Sequence, residues 1–378
     1  MTAAARLTAR ARATNLQSFA GIRKGLALGL AATANEALAN SRTVHEAGRE
    51  RDFLTAVANL QSMTKADLEA VNAEILKRMQ SPVSMIPELA GHLINAGGKR
   101  LRPMLTLASA RLFHYQGADH VKLAAAVELI HGATLLHDDV VDQSALRRGA
   151  STANIIWGNK ESVLVGDFIF ARAFELMVEA KDLRVLKALS HASGVIAQGE
   201  VLQLTTQKNL SATFETYLQV VEAKTAALFA AATEVGGLIS GRTREEEEAV
   251  RQFGLNFGVA YQLIDDALDY AGFEASLGKT VGDDFREGKM TAPVVFAVAR
   301  AREHEKPFWR RTIADGDIRD GDFEQARDYI ERDGAIEDTI SCARDYADKA
   351  LEAMASVPEN EFSKALENLV VTSTARAV

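Results

Sequence analysis

Apolar and polar positions recur with helical spacing over most of this 378-residue chain. From Asp67 to Ala96 apolar residues fall three and four apart, and a break at Ser81–Pro82 starts a second helix. A glycine hinge loaded with cations follows, Gly97-Gly98-Lys99-Arg100-Leu101-Arg102-Pro103, and runs into a helix from Met104. Segment 121–142 is apolar on most of its circumference, which predicts a buried helix. A second long apolar helix is expected over about 247–271, with the charged run Thr243–Glu248 as its solvated start. Glycines at 158, 166, 194, 199, 236, 237, 241, 254 and 258 mark helix ends or points of close packing. After Lys306 the chain is more polar and predicts two or three amphipathic helices. No repeat of solenoid period is present, and no linker divides the chain after residue 60.

Composition sharpens this pattern. None of the six prolines lies between Met104 and Ala292, a stretch rich in Ala, Leu, Glu and Lys. Such a stretch favours long helices, and the regularly spaced turn clusters of a sandwich or barrel are missing. The fold class expected is all-α. Lys and Arg number 43 against 51 Asp and Glu, a formal charge of −8, which gives no general attraction to nucleic acid or anionic membrane. The single cysteine, Cys342, excludes an intramolecular disulfide and a Cys-rich zinc site. No apolar run is long enough for a membrane span.

The first 45 residues differ in kind. No acid precedes Glu36, whereas Arg6, Arg10, Arg12, Arg23 and Lys24 lie among many alanines. This is the composition of an organellar transit peptide, and equally of a disordered basic tail or of translation upstream of a later start at Met63. A secretory core around Gly25–Ala34 is short and interrupted by glycine. The expected organisation is therefore a basic, alanine-rich, partly disordered extension over 1–60 and a helical domain over 61–378. A cytoplasmic location is expected, or a mitochondrial one if the leader is a transit peptide.

The chemistry is concentrated in two copies of D-D-x-x-D, Asp138-Asp139-Val140-Val141-Asp142 and Asp265-Asp266-Ala267-Leu268-Asp269. In a helix the first and last aspartates of each lie one turn apart on one face, with the second about 100° around. Three like charges in one turn repel, and uncompensated charge in an apolar helix is costly. A lone triplet is adequately explained as a solvated helix end; two of them inside Leu/Val/Ile-rich helices are not. Clustered carboxylates are hard oxygen ligands suited to Mg²⁺ or Mn²⁺, and magnesium completes its octahedron with waters and substrate phosphate oxygens. Lys99, Arg100, Arg102, Arg147, Arg148, Lys224, Lys279 and Lys289 stand beside glycines or beside these motifs. Together they imply a polyanion bound through a divalent metal, and a diphosphate fits. The P-loop signature and a βαβ pattern are both absent.

These motifs resemble those of the trans-type (E-type) isoprenyl diphosphate synthases. GGKRLRPML at 97–105, LLHDDVVD at 135–142, RRG at 147–149, KTAALF at 224–229, YQLIDDALDY at 261–270 and GKTVGDDFREGK at 278–289 stand in the family's order and spacing. The variant is most similar to the long-chain octaprenyl and decaprenyl synthases. The resemblance implies a single large orthogonal helical bundle around a deep cavity, up to three Mg²⁺ ions (with Mn²⁺ as a substitute), and a homodimer. It implies that Asp138, Asp142 and Asp265 ligate magnesium on the allylic diphosphate, with Asp139, Asp266 and Asp269 as direct or water-mediated partners. Arg147, Lys224 and Lys279 would contact that diphosphate, and Lys99, Arg102, His131 and Arg148 would hold isopentenyl diphosphate. Thr225 and Gln262 would flank the developing allylic cation, and Lys289 would close the mouth. The primer implied is farnesyl or geranylgeranyl diphosphate.

Chemically, diphosphate departs from an allylic carbon only if its accumulating charge is stabilised by preorganised cations in a site that excludes water. The isopentenyl double bond then attacks and a proton is lost. Ala133 and Thr134, about one turn before Asp138, are small. In the family, aromatic residues there block the tail, so small ones predict a long product of about 40–50 carbons, serving ubiquinone side-chain synthesis. A bulky residue among Phe168, Phe170, Phe174 and Met177 is a candidate floor. The competing possibilities are a shorter-chain synthase, a class I terpene cyclase and a non-catalytic partner subunit. The complete second triplet argues against the last two, and the basic loop would be idle in a cyclase.

Overall fold

The computed structural model describes residues 48–95, 98–147, 149–271 and 282–377, of which those from Asp52 onward belong to one compact unit. That unit is built from helices: α1 (52–63), α2 (Lys65–Arg78), α3 (Met85–Asn95), α4 (Leu101–Leu112), α5 (Asp119–Val141), α6 (Ala153–Ile156), α7 (Asn159–Glu179), α8 (Leu183–Thr206) and α9 (Phe214–Val221). After a π-helical turn at Glu222–Ala226 come α10 (Ala227–Ile239), α11 (Arg244–Tyr270), α12 (Asp283–Arg286), α13 (Ala292–Arg300), α14 (Lys306–Trp309), α15 (Asp322–Arg332), α16 (Ala335–Ala353) and α17 (Glu361–Ala375). The all-α expectation holds. Among the described residues the one sheet is an antiparallel hairpin, β1 (Leu146–Arg147) with β2 (Ala150–Ser151), which the hydrophobic pattern did not announce.

Local chemistry explains the helix limits. Thr243 caps α11 in a reciprocal capping box with Glu246, so the charged run Thr243–Glu248 is the solvated start of this helix. Pro293 lies in the first turn of α13, where its missing N–H has no helical partner to lose. At the entry to α4, Gly98 has φ 144° and Arg100 has φ 51°. The second is a left-handed conformation that a non-glycine residue holds only when its surroundings impose it. Arg100 is fixed there by an ion pair with Glu128 of α5.

Two apolar clusters share α11. One gathers α1, α2, α4, α5, α7, α8, α10 and the first half of α11, including Phe253 and Phe257. The other gathers α9, the second half of α11 (Leu263, Ile264, Ala267, Tyr270) and α13 to α16. Burial of each such side chain is worth about 1.5–3 kcal/mol, which is what seats the polar end of α11 inside the fold. Helix α1 begins before the boundary expected at residue 60, and it is packed into the body because Phe53, Ala56, Val57 and Leu60 are buried. The basic leader lies outside the described residues.

Close approaches occur where glycine stands. A Cβ at Gly258 of α11 would sit 2.7 Å from Ala226 Cα, and one at Gly199 of α8 would sit 3.0 Å from Lys224 N. Both helices therefore press on the π-helical turn that carries Lys224 and Thr225.

Candidate active site

Both aspartate triplets lie at helix C-termini. Asp138 and Asp139 close α5, Asp142 is its C-cap residue, and Asp265 to Asp269 occupy the last turns of α11. The helix dipole makes this the unfavourable end for anions, and neither last turn carries a basic residue. The charge is offset by side chains from elsewhere.

In the first triplet, Asp139 is buried and accepts two hydrogen bonds on Oδ1 from Arg147, at 2.9 and 2.7 Å. The hairpin serves to deliver that arginine. Asn154 donates to the Asp139 carbonyl at 3.1 Å and so ties α6 to the end of α5. Asp138 and Asp142 accept no side-chain hydrogen bond among the described residues. Instead, Lys224 Nζ lies 3.8 Å from Asp138 Oδ2 and donates to Glu200 Oε2 at 2.8 Å. Burial pushes the Asp138 carboxyl up to about 7; Lys224 opposes this, while Glu200 and Asp142 add to it.

In the second triplet, the chain of contacts starts beside Lys224. Thr225 donates to Gln262 Oε1 at 3.0 Å, and Gln262 Nε2 donates to Asp266 Oδ1 at 2.7 Å. Tyr217 donates to Asp266 Oδ2 at 2.6 Å. Burial and the neighbouring Asp284 carboxylate raise the Asp266 carboxyl despite these two donors. Asp269 accepts the backbone N–H groups of Gly282 and Asp284, both at 3.3 Å, and so holds the start of α12. Asp265 pairs with Arg376 Nη2 at 3.0 Å. Lys289 pairs with Glu287 and, at 3.4 Å, with Asp284. Burial alone would lower the Lys289 ammonium, but Asp284, Glu287 and Asp142 outweigh it and hold the proton more tightly than usual.

A cavity of about 140 Å³ is lined by Tyr217, Lys224, Thr225, Gln262, Asp266 and Lys289 among others. A more polar one of about 300 Å³, reached by Asp142, Arg286 and Glu287, shares Gln207 with it. The basic loop forms a separate group on an aromatic floor. Lys99 Nζ lies 4.7 Å from the Phe53 ring and Arg102 lies 4.7 Å from Phe229, while Arg102 Nη1 is 3.2 Å from His131 Nε2. Arg376, with a fully buried side chain, stacks on Phe53 at 4.5 Å and on Tyr261 at 4.9 Å. Ala133 is buried in α5, and Thr134 donates to the His131 carbonyl at 2.8 Å. Arg148 and Lys279 lie outside the described residues.

The donor set fits a divalent cation that keeps part of its water shell. Among the described residues no three acidic or histidine side chains converge on one preformed metal position. Yet Asp138 and Asp142 present oxygens without side-chain hydrogen-bond donors among the described residues, and the mostly shielded Asp138 carboxyl is raised because burial outweighs the charge of Lys224 and Arg147. A cation shared with substrate oxygens would supply further positive charge.

Four residues of this site escaped the sequence patterns: Glu200, Tyr217, Asp284 and Arg376. Asp284 stands inside GKTVGDDFREGK without an assigned role, so a signal was present. Glu200 is a lone acid on a mostly apolar stretch of α8. Nothing local marks Tyr217 or Arg376.

An all-α bundle with two aspartate triplets, a lysine between them and a basic loop defines the class, and the chain belongs to the polyprenyl synthetase family, whose model matches residues 83–330. Octaprenyl diphosphate synthase of Escherichia coli (strain K12) is 43% identical over 310 residues, which are 82% of this chain and 96% of that protein. Polyprenyl synthase from Caulobacter crescentus CB15, solved in complex with calcium and isoprenyl diphosphate, matches with a TM-score of 0.82 at 52% identity, over 85% of this chain and 98% of that one. A decaprenyl diphosphate synthase structure from Rhodobacter capsulatus matches with a TM-score of 0.82 at 51% identity, over 85% and 99%.

Proposed function

We propose that the chain is a long-chain polyprenyl diphosphate synthase. It condenses isopentenyl diphosphate head-to-tail onto an allylic primer, farnesyl or geranylgeranyl diphosphate, and gives an all-trans product of eight to ten isoprene units, as the octaprenyl and decaprenyl names of its relatives suggest. The observation that carries this is the position of Lys224–Thr225: the ammonium lies 3.8 Å from Asp138 of one triplet, and the adjacent hydroxyl leads through Gln262 to Asp266 of the other.

Asp138, Asp142 and Asp265 are the proposed holders of Mg²⁺, or of Mn²⁺ in its place. When bound, the metal neutralises the charge that builds on the departing diphosphate. The protein side of the chemistry is positional. Lys224 and Lys289 face that charge, and Arg147 and Lys279, the latter outside the described residues, are assigned to the same group. Lys99, Arg102, His131 and Arg148 orient isopentenyl diphosphate, and the Thr225 and Gln262 oxygens border the allylic cation. Small side chains at Ala133 and Thr134 let the tail descend. Residues 61–378 are taken as the catalytic domain together with the packed α1, in the cytoplasm, and the product is assigned to ubiquinone side chains.

A homodimer is proposed, and exposed apolar side chains near the first triplet (Leu146, Ile155, Ile156, Leu164) suit one. The relative solved with calcium and isoprenyl diphosphate supports dependence on a divalent metal. The test is incorporation of labelled isopentenyl diphosphate into organic-extractable lipid with Mg²⁺. Incorporation abolished by EDTA is expected; metal-independent incorporation, or none, would overturn the proposal.

A further inference from the structure

Glu200 is an acid inside an anion-binding site, where its charge should be a liability. Gly199 sets up its position: a Cβ there would lie 2.7 Å from Ala223 Cβ, so only glycine lets α8 approach the π-helical turn this closely. The next residue then places Glu200 Oε2 2.8 Å from Lys224 Nζ. Lys224 is thus bonded to Glu200 and stops short of Asp138 Oδ2, at 3.8 Å. All three side chains are mostly shielded, with exposures of 25% for Glu200, 24% for Lys224 and 13% for Asp138. Attraction between Lys224 and Asp138 is therefore weakly screened. Glu200 Oε1 is buried and accepts no hydrogen bond among the described residues. Packing alone does not account for this carboxylate.

We infer that Glu200 is a positioning residue that holds the Lys224 ammonium off Asp138, keeping the Asp138 oxygens open to a divalent cation while the ammonium stays beside them for the diphosphate. Without Glu200 the flexible lysine side chain closes the remaining gap and caps the carboxylate itself. The effect is competitive and runs through Lys224. A plain tether between α8 and the π-helical turn would change stability and leave metal affinity alone. The inference rests on the proposed metal role of Asp138.

The test is Mn²⁺ binding to the full chain without substrate, followed by electron paramagnetic resonance of free Mn²⁺. Four proteins are compared: wild type, Glu200→Gln, Lys224→Gln and the double variant. Glu200→Gln should weaken Mn²⁺ about tenfold, the lower end of what loss of an outer-shell partner costs. In the Lys224→Gln background the same change should cost no more than about threefold, the residual field of one screened charge. Glu200→Asp, which keeps the charge, should stay within about threefold of wild type and covers the case in which Glu200→Gln does not fold. Equal losses in both backgrounds, or a lowered melting temperature with unchanged Mn²⁺ affinity, would overturn the inference. Wild type that binds no Mn²⁺, or binds it equally well after Asp138→Asn, would instead overturn the metal assignment beneath it.

Discussion

Replacing Gly258 by alanine tests whether packing remote from the aspartates sets the geometry of the site. The new Cβ would lie 2.7 Å from Ala226 Cα, 3.0 Å from Ala226 Cβ and 3.1 Å from Phe229 Cβ. Carbon atoms in ordinary contact sit about 3.5–4.0 Å apart, so α11 and the π-helical turn must separate by roughly 1 Å. Overpacking of this kind costs about 1–3 kcal/mol. In a domain of this size that lowers the melting temperature by roughly 2–6 °C. Lys224 and Thr225 share the displaced turn, and a shift near 1 Å at a reacting group can cost up to about a hundredfold in rate. Gly194 of α8 is the control: it is exposed, and a Cβ there meets nothing within 4 Å. Gly194→Ala should be neutral or stabilising by up to about 1 kcal/mol. The assays are thermal melting and kcat/KM for the allylic substrate. If Gly258→Ala melts and turns over like Gly194→Ala, the contact between α11 and the π-helical turn does not position Lys224.

Tyr217→Phe removes the hydroxyl that donates to buried Asp266 at 2.6 Å. A hydrogen bond to a charged group is worth about 1.5–3 kcal/mol, so the acidic limb of the rate–pH profile should move up by about one to two pH units. An unmoved limb would count against a role for ionised Asp266. For metal-free protein, the Asp138 carboxyl is raised from 3.8 to about 7 by burial. Between those values the folded state keeps a proton that the unfolded state has lost, so stability falls as pH rises through that window, by up to about 4 kcal/mol from this group. Asp138→Asn should remove that part of the slope in urea melts with EDTA at pH 5 and 8, and it should abolish turnover; parallel slopes would refute the assignment. Ala133→Phe fills a fully buried position on α5 and should shorten the product, while an unchanged product would show that the tail does not pass Ala133.

The long elements were legible because their hydrophobic pattern is sustained. Helix α5 is apolar around most of its surface, whereas α11 is amphipathic, with buried Phe253, Phe257, Leu263 and Ile264 on one side, and both end in aspartate triplets. The break at Pro82 and the capping box at Thr243 are local signals with local causes. Other features depend on tertiary contact. A hairpin with two-residue strands has no periodicity to detect, yet it carries Arg147 to Asp139. The π-helical turn at Glu222–Ala226 has the sequence EAKTA, which reads as ordinary helix, and it lies where α8 and α11 approach it closely at Gly199 and Gly258. Tyr217 finds Asp266 49 residues along the chain and Lys224 finds Glu200 24 residues back, separations at which spacing carries no information. Arg376 reaches Asp265 only because α17 ends beside α1, where Phe53 stacks on it. For the same reason the start of the packed unit lies earlier than a compositional boundary suggests.

The most direct test of the account is the length distribution of what the enzyme makes. Purified protein is incubated with farnesyl diphosphate, labelled isopentenyl diphosphate and Mg²⁺, and the dephosphorylated products are resolved by chromatography. Elongation that accumulates at eight to ten isoprene units is expected, in keeping with the octaprenyl and decaprenyl synthases that the chain resembles. Products that stop at fifteen or twenty carbons, or no elongation at all, would contradict the account.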